Sequence, residues 1–135
     1  MIDFLATTFY NEKENVDLAR NLTIAFLKKN NFDNINKISE IKSVVTELVK
    51  NVIDHAYEQK SEIIELSFTL HEGILKICVC DFGKGIDDIE KAKEPMYSTK
   101  EGHCGLGFTI IEVFSDSYSI ESEEGRTRVK AVFKI

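Results

Sequence analysis

Apolar positions recur with two periods along the chain, and the alternation between them predicts the elements. Residues 2–10 mix β-branched and aromatic side chains and read as a first strand, with "NEKEN" as the turn into a helix. Val16, Ala19, Leu22 and Phe26 then recur at helical spacing as far as "KKNNFDN", where asparagines break the pattern. A longer helix is predicted over 37–57, with Ile38, Ile41, Val45, Leu48, Val52 and Ala56 as its apolar stripe. "SEIIELSFTL" and "ILKICVC" flank "HEG" as a hairpin of buried strands. A glycine turn, "DFGKGIDD", follows, then a short helix at 88–93, a loop "EPMYSTKEGHCG" and a helix over 106–114. "SYSIESE" and "RTRVKAVFKI" pair across "EG", and Val129, Ala131, Phe133 and Ile135 mark one face of the last strand.

Strands that arrive as adjacent hairpins favour an α+β fold, a two-layer sandwich whose mixed, mostly antiparallel sheet is covered on one face by helices. The 135 residues suit one compact domain over 1–135. A net charge of −6 disfavours general affinity for nucleic acid or anionic membrane, so any phosphate binding has to be local. No window approaches the ~18 apolar residues of a membrane span and the first residues carry no leader pattern, which places the chain in the cytoplasm by default. Cys78, Cys80 and Cys104 lack CxxC spacing, and Cys78 and Cys80, on one face of a predicted strand, read as buried, inert thiols.

"DFG" is also the magnesium-binding turn of eukaryotic protein kinases, but those need a Gly-rich loop, a strand lysine and an HRD loop upstream, and none is present. The P-loop pattern is absent too, and neither "GKGIDD" nor "GLGFTI" completes GxGxxG. Five of the seven glycines nevertheless lie between residues 83 and 107, in two clusters. One cluster ends a buried strand and the other opens a helix, where backbone N–H groups and the helix dipole can hold phosphate oxygens. Asp81 stands at the mouth of the same crevice. Glu47, Asn51 and Asp54 share one helical stripe; such a stripe is either a solvated face or a group able to position a hydroxyl and a Mg²⁺ ion. Gly83 and Gly85 by themselves are equally consistent with a tight turn that binds nothing.

Taken together, "TELVKNVIDHAY", "DFGKGI" and "GLGFTI" resemble the N, G1 and G2 boxes of the GHKL ATPase superfamily, which includes gyrase, Hsp90, histidine kinases and MutL. Over residues 40–115 the chain is most similar to the sporulation anti-sigma factors of that superfamily, which are serine-protein kinases. The resemblance implies a Bergerat ATPase fold binding ATP or ADP with Mg²⁺. It implies that Glu47 is the general base, that Asn51 ligates Mg²⁺, and that Asp81 accepts a hydrogen bond from the adenine amino group. By the same resemblance Gly83 and Gly85 pass close to the base, and Ser98, Thr99 and Lys100 belong to a lid over the phosphates. Gly105 and Gly107 cradle the phosphate tail, and Thr127 reaches adenine. The implied partners are a sigma factor, an anti-anti-sigma substrate of the STAS type and a second copy of the chain, without direct contact to nucleic acid or membrane.

The chain departs from the pattern in two places. His103 stands where an arginine usually precedes the second glycine box, either donating to phosphate in its place or as an ordinary exposed loop residue, and the lid is about two residues shorter. A nucleotide-dependent switch without efficient transfer is therefore an alternative to the kinase. A stand-alone histidine-kinase-like catalytic domain, acting in trans, is another. Arg20, a guanidinium among apolar neighbours on the first helix, is either a partner contact or a surface ion pair. His55 and His71 read as structural or exposed.

Overall fold

The computed structural model describes residues 2–55, 62–83 and 106–135. Within them the chain runs β1 (Asp3–Tyr10), α1 (Asn15–Lys29), α2 (Ile35–His55), β2 (Ile63–His71), β3 (Ile74–Asp81), α3 (Leu106–Phe114), β4 (Ser117–Glu123) and β5 (Arg126–Lys134). The helix expected at 88–93 lies outside the described residues.

Local chemistry sets the ends of the helices. At the end of α1, Asn31 adopts a left-handed backbone with φ of 61°, and the Phe32 N–H returns to the Leu27 carbonyl at 3.0 Å. Asparagine tolerates that conformation, so "KKNN" stops the helix. Helix α2 starts two residues before its predicted position because Asn34 caps it, its Oδ1 accepting from the Lys37 N–H at 3.0 Å. The apolar stripe had located the buried face, which starts later than the cap.

The five strands form one sheet in the order β1-β2-β3-β5-β4. All four pairings are antiparallel, so the mixed sheet left open by the sequence is resolved as antiparallel among the described strands. Two pairings are tight hairpins. The β2–β3 turn places Glu72 and Gly73 at φ of 50° and 75°, the paired positive angles that match strand twist.

Alternation divides the sheet into two faces. Leu66 and Phe68 of β2, Leu75, Ile77 and Val79 of β3, and Ala131 and Phe133 of β5 point to the helices and are buried. They meet Phe26 and Leu27 of α1, Ile41, Val44, Val45 and Leu48 of α2, and Ile111 of α3 in one core. Phe26 stacks on Phe68 with ring centroids 5.3 Å apart. Burying each such side chain is worth ~1.5–3 kcal/mol, which is why α2 lies centrally between α1 and α3. The opposite face carries Lys76, Cys78, Cys80, Arg128 and Lys130, with Phe4, Tyr10 and Ile63 exposed on it near the β1 edge.

Candidate functional site

Following the direction of each element shows which residues can meet. The far end of the sheet holds Asp3, whose carboxylate receives Lys29 Nζ and Asn30 Nδ2 at 2.8 Å each, tying the end of α1 there. Helix α2 therefore starts at that end, where Lys37 Nζ lies 5.7 Å from the Phe133 ring, and travels back to finish near the start of β2. The cross-strand register places Ile64 of β2, Asp81 of β3 and Thr127 of β5 side by side at this near end. Helix α3 leaves the near end, because β4, which it feeds, begins opposite Val132 at the far end of β5. One edge of the sheet thus collects the last turns of α2, the first turn of α3, Asp81 and Thr127.

Asp81 continues the core-facing alternation of Leu75, Ile77 and Val79, so a carboxylate occupies a position whose pattern calls for an apolar residue. It is 4% exposed. Burial pushes its pKa above the ordinary carboxylate range, and the Gly83 N–H, donating to Oδ1 at 3.0 Å, opposes that shift. A buried acceptor with one backbone donor among the described residues has capacity for another donor. Next to it Thr127 is buried at 5% exposure, and its Oγ1 lies 2.8 Å from Ser122 Oγ across the β4–β5 hairpin. Asp81, Thr127 and Ser122 form a polar row on the helix-covered face.

On α2, Glu47 and Asn51 are half-buried one turn apart on the border of the apolar stripe, with Asp54 half-buried beyond them. The Asn51 Nδ2 atom is buried without a hydrogen-bond partner among the described residues. Thr109 Oγ1, two residues past Gly107 on α3, is in the same condition. Native proteins rarely leave such groups unpaired, so two orphaned polar atoms on neighbouring helices mark a place where a polar ligand would be accepted. The donor set fits a magnesium nucleotide: a carboxylate acceptor, hydroxyls, and an amide oxygen of the kind that ligates hard cations.

Of the residues singled out in the sequence, Glu47, Asn51, Asp81, Gly83, Gly107 and Thr127 are thus described at this edge. Gly85, Ser98, Thr99, Lys100, His103, Gly105 and Cys104 lie outside the described residues, and His55 is described only as the last residue of α2. Arg20 is partly exposed on α1, with its guanidinium 3.6 Å from the Asp17 carboxylate one turn before it. His71 is exposed at the far hairpin. Cys80 is buried, as expected, but Cys78 is only half-buried on the open face; burial pushes both thiols up, away from reactivity. A shallow concavity lined by Ala6, Ser67, Cys78 and Arg128, among others, also belongs to that open face, away from Asp81.

Sequence reasoning passed over Ser122 and Thr109. The first was accessible in principle, since counting outward from the "EG" turn sets Ser122 opposite Thr127. Nothing in the pattern distinguishes Thr109 from any other helical threonine; its signal is the missing partner.

The model of the histidine kinase-like ATPase domain matches residues 9–133. The chain belongs to that family. Among its relatives, the anti-sigma F factor of Caldanaerobacter subterraneus subsp. tengcongensis is 38% identical over 120 residues, covering 87% of this chain and 83% of that protein. The anti-sigma F factor of Clostridium botulinum strain Alaska E43 is 37% identical over 133 residues, covering 94% and 92%. Within the ATPase family the chain thus falls among the anti-sigma F factors. The solved RsbU and RsbW domains of a Mycobacterium tuberculosis protein share the fold at a TM-score of 0.72 and 15% identity, over 98% of this chain and 32% of that one. No helix of the described residues is long and apolar enough to cross a membrane.

Proposed function

We propose that this ATP-binding anti-sigma factor sequesters a sigma factor and, as a Mg²⁺-dependent serine-protein kinase, phosphorylates an anti-anti-sigma partner of the STAS type. It would act in the cytoplasm as a homodimer. The observation that carries the reading is the buried Asp81–Thr127 pair at the same sheet edge as the orphaned Asn51 amide.

ATP is the phosphoryl donor in this reading, and Mg²⁺ would supply neutralisation of phosphate charge. The remaining work falls to the chain. Asp81 accepts from the adenine amino group and excludes bases that present an acceptor there. Thr127 makes the second polar contact to the base. Asn51 offers its amide oxygen to the metal, and the N–H groups at the start of α3, with Gly107, face phosphate oxygens. Glu47, one turn before Asn51, orients the partner's serine hydroxyl and takes its proton as the serine oxygen is phosphorylated and ADP departs. Gly83 and Gly85 keep the chain close to the base. Ser98, Thr99, Lys100 and Gly105 are assigned to the phosphate side by resemblance, and His103 by the capacity of an imidazole to donate to phosphate in place of the family arginine. A phosphoserine brings about −1.5 to −2 charges, sufficient to disrupt docking on an acidic surface.

The test is Glu47→Ala. ATP binding should persist, while phosphate incorporation into a serine partner falls by ~10²-fold or more. Undiminished phosphorylation would remove Glu47 from the mechanism. Binding without any transfer in the parent protein would leave a nucleotide-dependent switch in place of a kinase.

A further inference from the structure

Ser122 belongs to none of the sequence boxes, yet its hydroxyl lies 2.8 Å from that of Thr127, and Thr127 stands beside Asp81 in the cross-strand register. A hydroxyl has one proton to give and can accept as well. If Thr127 donates to Ser122, it turns an acceptor toward the ligand; if Ser122 donates to Thr127, the Thr127 proton is released toward the ligand. Adenine presents a donor at its amino group and an acceptor at the adjoining ring nitrogen. Hypoxanthine and guanine present the reverse, an acceptor and then a donor. Asp81, an acceptor, reads the first position of adenine. A Thr127 that donates reads the second, and while the two hydroxyls are bonded to each other its proton is available to the ligand only when Ser122 is the donor of the pair.

We infer that Ser122 is a specificity-determining positioning residue: by donating to Thr127 it fixes Thr127 as a donor, so that the Asp81–Thr127 pair reads adenine and rejects 6-oxopurines. This rests on the proposed nucleotide site. Both hydroxyls are on the helix-covered face, where Thr127 is buried and Ser122 half-buried, so water competes little for the contact. A purely structural serine–threonine pair across a hairpin would instead add a few tenths of a kcal/mol to the strand pairing and leave ligand choice alone.

The experiment compares ATP with ITP on the full chain, by direct titration, for the parent, Ser122→Ala and Ser122→Thr. The parent should prefer ATP. Ser122→Ala should reduce the ATP:ITP preference about 5- to 10-fold, the worth of one hydrogen bond, and Ser122→Thr should restore it. Thermal unfolding of the unliganded variants separates fold from recognition. An unchanged preference in Ser122→Ala, with or without a lower unfolding midpoint, overturns the inference and leaves a structural pair. A parent that binds neither nucleotide, or binds both equally, overturns the adenine reading itself and the role of Ser122 with it.

Discussion

Asp81 is where the proposed recognition and stability conflict most directly. Its position in the strand is one that Leu75, Ile77 and Val79 fill with apolar side chains, and burial raises its pKa in the folded state. A raised carboxyl pKa means that stability is fully present while the group is protonated, below about pH 4, and is lost as pH rises through the folded value. At pH 7, above the carboxyl range of the unfolded chain, the shift therefore costs stability relative to acid. Asp81→Asn keeps an oxygen for the Gly83 N–H and removes the charge, so its urea midpoint without nucleotide should exceed that of the parent at pH 7. The advantage should vanish below about pH 4, and a lower midpoint at pH 7 would contradict the account. Thr109 poses a simpler case, because its buried hydroxyl has no partner among the described residues. Thr109→Val preserves shape and branching and should stabilise the unliganded protein by about 1 kcal/mol, read as a higher urea midpoint at unchanged slope.

At the level of elements, the two hairpins provide an internal comparison. Gly73 has φ of +75°, and a Cβ there would lie 3.0 Å from the Ile135 carbonyl oxygen, on a strand end whose N–H already donates to the Gly73 oxygen at 2.8 Å. Gly125 has φ of +86° but open space around it. Both alanine substitutions incur ~1–2 kcal/mol for the left-handed backbone, and Gly73→Ala adds a backbone clash. Gly73→Ala should therefore have the lower unfolding midpoint of the two; equal midpoints would show that the end of β5 yields without cost. These turns were legible in the sequence, because "HEG" and "EG" interrupt runs of period two. The apolar stripe of α2 was legible as well, since Ile41, Val45, Leu48 and Val52 are all buried. Its first residue was not, because a cap depends on one side-chain contact from Asn34 that leaves no periodic trace.

At the scale of the whole molecule, the boxes in the sequence named Glu47, Asn51 and Asp81, and the wider resemblance added Thr127, but period and spacing could not say that they share one edge. That follows from the sheet order, in which β5 inserts between β3 and β4 and brings Thr127 next to Asp81. Ser122 escaped notice for the same reason: its proposed role arises from a neighbour's neighbour. The proposed site, drawn from α2, β3, α3 and β5, does not exist in the unfolded chain, so nucleotide bound there would favour the native state and add its free energy to folding. At a nucleotide concentration 100 times the dissociation constant the gain is about 2.7 kcal/mol. Asp81→Asn should lose this gain while keeping its advantage in the unliganded state. The two proteins should then exchange rank: the variant melts later without nucleotide, and the parent melts later with saturating magnesium ATP. An equal rise in both would separate Asp81 from the bound base, whatever the variant does to the unliganded fold.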